Sequence, residues 1–135
     1  PEDYIPDLAV RMGLYRRLNE LSGREEIEGF AAEMIDRFGP LPEATQNLLI
    51  LMEIKLNATA ARIARLDVGA KGALVAFHED KPPNIEGLIA YAERLQGTAK
   101  IRPDGKLAIT RAWHNAAARL NGALQLSKGL AKIAG

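Results

Sequence analysis

Arg65-Leu66-Asp67-Val68-Gly69-Ala70-Lys71-Gly72-Ala73-Leu74-Val75-Ala76-Phe77-His78 is where the chain changes its period. Upstream, apolar residues recur every three or four positions. Here they fall into two short runs around a glycine-bounded turn. Arg65 to Val68, the turn Gly69-Ala70-Lys71-Gly72, and Ala73 to His78 read as strand, tight turn, strand, with Leu74, Val75 and Phe77 as β-prone residues.

Three helices precede this hairpin. Ile5-Pro6-Asp7 opens the first, because Pro6 restricts the residue before it and Asp7 caps free backbone N–H groups. Leu8, Met12, Tyr15, Leu18 and Leu21 form its apolar stripe. Ser22 and Glu25 have the spacing of a capping box at the head of the second helix. Its buried face is Ile27, Phe30, Ala31, Met34, Ile35 and Phe38; Gly39 then ends the helix and Pro40 prevents resumption. Leu41-Pro42-Glu43 starts a third helix running to about Ile63, with Leu48, Leu51, Met52 and Ile63 inward. The run Leu48 to Met52 is apolar nearly all round, which predicts a central helix.

Downstream, Pro82-Pro83 breaks the chain, and Asn84 caps a helix with the stripe Ile85, Leu88, Ile89, Ala92 and Leu95. Ala99 to Arg102, the turn Pro103-Asp104-Gly105-Lys106, and Leu107 to Thr110 make a second hairpin. A last helix begins near Arg111 or Ala112, with Trp113, Ala117, Leu120 and Leu124 on one side. Gly122 and Gly129 each cost it ~1 kcal/mol relative to alanine, which predicts fraying of its distal end. The fold class is therefore α+β: three N-terminal helices, then two β-hairpins forming a small antiparallel sheet, with one helix between them and one C-terminal helix. We expect a single domain over residues 1–135.

The 135 residues are 47% apolar and 26% charged, enough to bury a core and inconsistent with a disordered chain. The absence of cysteine excludes thiol catalysis and iron–sulfur chemistry. The Leu48–Met52 run is far short of the ~20 residues a membrane helix needs. His78 and His114 lack metal-ligand spacing, and neither Ser22 nor Ser127 sits in a hydrolase elbow. Gly69-Ala70-Lys71-Gly72 fails the Walker spacing and reads as a hairpin turn. Glu25, Glu26 and Glu28 suit the positive end of a helix dipole and read as a solvated face.

Net charge is +1, unevenly spread. From Ala99 onward stand Lys100, Arg102, Lys106, Arg111, Arg119, Lys128 and Lys132 against Asp104 alone. Either this basic third is a docking surface, or it neutralises the acidic helices.

Two motifs add a resemblance. Pro1-Glu2-Asp3-Tyr4-Ile5-Pro6-Asp7, with Arg11 and Leu14-Tyr15-Arg16-Arg17-Leu18, is the first. Glu33-Met34-Ile35-Asp36-Arg37-Phe38-Gly39-Pro40-Leu41-Pro42, with Asn47-Leu48-Leu49, is the second. Together they resemble the C-terminal domain of bacterial transcription-repair coupling factor, and the order of elements agrees over essentially the whole chain. Nothing is carried into the glycine-rich last helix. The chain starts at Pro1 rather than methionine, and we read it as a piece of a longer protein.

The resemblance implies a cytoplasmic parent with an ATP-driven double-stranded DNA translocase motor that binds ATP and Mg. It implies displacement of stalled RNA polymerase and recruitment of excision repair through UvrA. For this domain the residues themselves, with no phosphate loop, hydrolase elbow, metal-ligand spacing or long apolar run, lead us to expect no catalysis, no cofactor, no metal and no membrane. The resemblance also implies a regulatory element that packs on the UvrB-like N-terminal module and masks its UvrA-binding surface; the apolar stripes, which one core can use, lead us to expect a monomer. Glu33, Asp36 and Arg37 share about a third of their helix circumference, away from Phe30, Met34 and Phe38. By residue type they are a solvated face with a Glu33–Arg37 pair; with the resemblance they are the expected interdomain contact. The alternative is an accessory DNA- or polymerase-contacting module using the basic C-terminal third.

Overall fold

Asp7 accepts a hydrogen bond from the Val10 amide (3.0 Å) and starts α1 (Leu8–Glu20), as its position before the first apolar row predicts. The structure, a computed structural model, describes residues 3–135, so Pro1 and Glu2 of the N-terminal motif lie outside the described residues. Helix α2 (Arg24–Phe38) begins one residue later than a Ser22/Glu25 capping box requires. Gly23 is its N-cap, and Glu26, now at the third helical position, reaches back to the Ser22 amide (2.9 Å). Gly39 closes the helix at φ 92°, a left-handed conformation that costs glycine little.

Helix α3 (Glu43–Ala60) stops short of Ile63. Arg62 turns left-handed (φ 57°) and its carbonyl accepts from the His78 amide, so Ile63 opens a strand instead. The chain divides within α3 into two compact units, Pro1–Leu56 and Asn57–Gly135.

The first unit packs Ile5, Leu14, Leu18, Ile27, Phe30, Met34 and Leu49 into one core. Several positions read as inward are not. Leu8, Met12 and Tyr15 on α1, Ile35 on α2, and Leu48 and Leu51 on α3 are all exposed. Leu18 belongs to two neighbouring apolar rows of α1, and packing selects the Leu14/Leu18 row rather than the Leu8/Met12/Tyr15 row. In α3 an all-round apolar run carries no phase; only Leu49 of that run is buried, one turn after buried Thr45. This helix is not the central one its composition suggests.

The second unit holds a four-stranded antiparallel sheet, order β1-β2-β4-β3, built from β1 (Ile63–Gly69), β2 (Gly72–Phe77), β3 (Ala99–Ile101) and β4 (Leu107–Thr110). The two expected hairpins thus join through β2 and β4. Register aligns Leu66, Val75, Leu107 and Ile101 in one cross-strand row. Leu88 of α4 (Ile85–Arg94) and Leu126 and Leu130 of α5 (Ala116–Ala134) close that face into a core. Asn84 caps α4 as expected, accepting from the Gly87 amide at 3.0 Å. Ile85 and Ile89 nonetheless face outward; the Leu88/Ala92/Leu95 row meets the core.

Helix α5 begins at Ala116, not near Arg111. The Arg111 and Trp113 amides donate to the carbonyls of Lys71 and Ala70 (both 2.8 Å), which keeps this stretch extended beside the first hairpin's turn. Asn115 then caps the helix through the Ala118 amide. Trp113 precedes the helix, Ala117 is exposed, and the buried face is Ala123, Leu124, Leu126, Ser127 and Leu130. The two glycines are packing sites. A Cβ on Gly122 would lie 2.3 Å from the Trp113 indole, and one on Gly129 3.2 Å from Tyr91. The helix continues to Ala134 with Leu130 only 3% exposed, and each glycine seats an aromatic ring.

Candidate interaction surface

The two motifs meet. The Tyr4 hydroxyl lies 2.6 Å from the Gly39 carbonyl and 3.2 Å from that of Met34, and its ring tilts against Phe38 at 5.9 Å between centroids. Burial raises the Tyr4 pKa, which keeps the hydroxyl a donor. Ile5 beside it is 4% exposed in the first core. The segment before α1 is thus fastened across the C-terminal end of α2, the helix that carries Glu33, Asp36 and Arg37.

Those three residues are not equivalent. Glu33 is held by Arg17, sixteen positions earlier on α1, through two hydrogen bonds from one guanidinium, of which Nη2 to Oε1 is 3.1 Å. Arg37 approaches the same carboxylate at 3.5 Å. The hydrogen bonds from Arg17 hold the Glu33 carboxyl below the usual carboxylate range, despite desolvation acting the other way, and Arg37 adds to the effect. Both guanidiniums cover rings: Arg17 lies 5.3 Å from the Phe30 centroid and Arg37 4.9 Å from that of Phe38. Asp36 stands apart, exposed and without an ion pair among the described residues. The expected Glu33–Arg37 pair is present. The reading missed Arg17, whose signal was its place off the α1 apolar stripe.

A shallow apolar pocket opens in the same unit between α1, α2 and α3. Leu14 and Leu18 line it with Phe30, Met34 and Leu49, while Tyr15 and Leu48 stand half-exposed at its rim. Leu8 and Met12 continue the Tyr15 row along α1, and Leu51 follows Leu48 one turn along α3. Among the described residues, six of the eight large exposed apolar side chains belong to this unit. Thr45 also lines the pocket, and its buried hydroxyl has no hydrogen-bond partner among the described residues.

His78 and His114 are exposed. Ser127 is fully buried, donating to the Leu124 carbonyl (2.9 Å) and accepting from Asn57 (3.2 Å). Among the described residues no group of three or more His, Asp or Glu is placed to hold a metal ion, and no helix is long and apolar enough to cross a membrane.

The family model of the TRCF domain matches residues 1–88. The transcription-repair-coupling factor of Rickettsia conorii is 39% identical over 107 residues, 79% of this chain and 9% of that protein. That of Escherichia coli K12 is 31% identical over 108 residues, 76% of this chain and 9% of its own length. The chain thus spans about a tenth of the curated relatives it matches. A solved structure of the C-terminal domain of transcription-repair coupling factor superposes with a TM-score of 0.73 at 19% identity, covering 98% of this chain and 86% of that one. Both motifs, the α+β architecture and the match over residues 1–88 lead to one assignment: the chain belongs to the TRCF-domain family of transcription-repair coupling factors.

Proposed function

We propose that this chain is a single non-catalytic, autoinhibitory domain within a cytoplasmic transcription-repair coupling factor. It packs on the UvrB-like N-terminal module of the parent and masks that module's UvrA-binding surface. The parent carries the ATP- and Mg-dependent DNA translocase motor, and RNA polymerase engagement releases the clamp. What supports the reading is the first unit's surface. It sets an exposed apolar ridge, Leu8, Met12 and Tyr15 with Leu48 and Leu51, on the same three-helix unit as the Arg17–Glu33–Arg37 cluster and the unpaired Asp36. Apolar residues with charged neighbours are what a reversible protein contact requires. In this reading Asp36 and Arg37 meet opposite charges on the partner, while Glu33 sets the Arg17 and Arg37 guanidiniums in place.

The test is charge reversal in the full-length parent. Asp36→Arg with Arg37→Glu leaves the cores untouched, and circular dichroism checks folding. The reading predicts UvrA binding without polymerase and faster basal translocation. A folded variant with parental UvrA affinity and parental motor activity contradicts it.

A further inference from the structure

Charge divides with the structural units. The first unit carries six basic and eleven acidic residues; the second carries twelve basic and six acidic, a net of +6. Within the second unit the excess has a focus. Two hollows lie along α5 and share Tyr91, one lined by Arg111 and Trp113 and the other by Arg94 and Lys132; together they make up the α4–α5 groove. No carboxylate lines it. Arg111 comes from the stretch after β4, Arg94 from α4 and Lys132 from α5, so three separate elements bring cations to these two adjoining hollows. None of the three makes a salt bridge among the described residues, whereas Arg65 and Arg102 elsewhere in the unit pair with Asp67 and Asp104. Between Ala118 and Lys132 the α5 wall extends for about 21 Å.

The neutral groups narrow the ligand class. Asn121 and Gln125 present side-chain amides to the groove, and Tyr91 presents a half-buried phenol. Burial keeps that phenol protonated although Arg111 and Arg94 pull the other way. Arg, Lys, amide and phenol donors together are the set that contacts nucleic-acid phosphates and sugars. The aromatic rings serve the fold instead: Trp113 lies against Gly122, and Tyr91 lies against Gly129 with Arg94 5.8 Å from its ring. Base stacking, the usual means of gripping single strands, is not what this groove offers.

We propose that the α4–α5 groove, through Arg94, Arg111 and Lys132, is a sequence-independent binding site for the phosphate backbone of duplex DNA. The proposal does not rest on the role proposed for α1 and α2. All of the groove's lining residues, from Tyr91 to Ile133, lie beyond the residues matched by the family model.

The experiment is fluorescence anisotropy of a labelled 25-base-pair duplex titrated with the full 135-residue chain between 50 and 200 mM salt. Three phosphate contacts predict a loss of affinity of about 40-fold across that range. Arg94→Gln/Arg111→Gln/Lys132→Gln should weaken binding at least tenfold at 50 mM salt, and Lys132→Gln alone should lower the salt slope by about one. Lys81→Gln/Lys100→Gln/Lys106→Gln removes the same charge outside the groove and should stay within threefold of the parent; circular dichroism checks both triple variants for folding. The proposal is overturned if the parent does not bind duplex at 50 mM salt, or if the two triple variants weaken binding equally. It is also overturned if a poly-glutamate peptide of matched charge displaces the duplex as well as unlabelled duplex does, since the groove then takes acidic protein.

Discussion

Arg17 and Glu33 join α1 to α2 through a two-pronged ion pair, and the same carboxylate lies 3.5 Å from Arg37. The helix surface that reads from sequence as a local i,i+4 pair is thus tied to a second helix. Two of the three expected contact residues have structural work in the free domain, and Asp36 alone is uncommitted.

This pairing predicts a pH dependence. The folded-state pKa of Glu33 lies below its ordinary value of 4.5, so the ionised pair adds stability at neutral pH and loses it as pH falls below that value. Glu33→Gln should lower the urea midpoint at pH 7, and the difference from the parent should shrink by pH 3. An equal difference at both pH values shows that the pair contributes nothing.

The two helix glycines should respond differently to alanine. At Gly122 the added Cβ meets the Trp113 ring at 2.3 Å, and overpacking of about 1–3 kcal/mol exceeds the ~1 kcal/mol gain in helix propensity. Gly122→Ala should therefore destabilise. At Gly129 the 3.2 Å contact asks Tyr91 to yield only slightly, and propensity offsets it, so Gly129→Ala should stay within about 0.5 kcal/mol of the parent. Equal losses at both positions contradict the packing account of α5.

How much of this was legible in advance depends on the range of the interaction. Asp7 and Asn84 announce their helices because capping is local, and Gly39 marks the end of α2 for the same reason. Both hairpins were readable from their turn residues. Which apolar row faces inward was not: Leu8 and Ile35 have the right spacing, and only their neighbours in space decide that they stay exposed. The start of α5 was hidden because Arg111 and Trp113 bond to a turn about 40 residues earlier. In the candidate site, Glu33 and Arg37 were found by spacing, while Arg17 belongs to another helix, and its place off the α1 stripe does not say which carboxylate it meets.

Thr45 offers a test of the first unit's core. Its residue is only 7% exposed and its hydroxyl has no partner among the described residues; such groups cost about 1–3 kcal/mol. Thr45→Val keeps the shape and removes the orphan, so the unfolding temperature should rise by a few degrees. A fall indicates that a bound water or neighbour satisfies the hydroxyl.

The proposed regulatory role rests on the first unit's surface holding the UvrB-like module, and one titration addresses that directly. The separate N-terminal module is titrated with this 135-residue chain, and with its Asp36→Arg/Arg37→Glu variant, in a calorimeter at moderate salt. Like charges placed against a complementary surface cost several kcal/mol, so the account predicts saturable binding by the parent chain and at least a hundredfold loss for the folded variant. No binding by the parent chain, or equal binding by both, contradicts it.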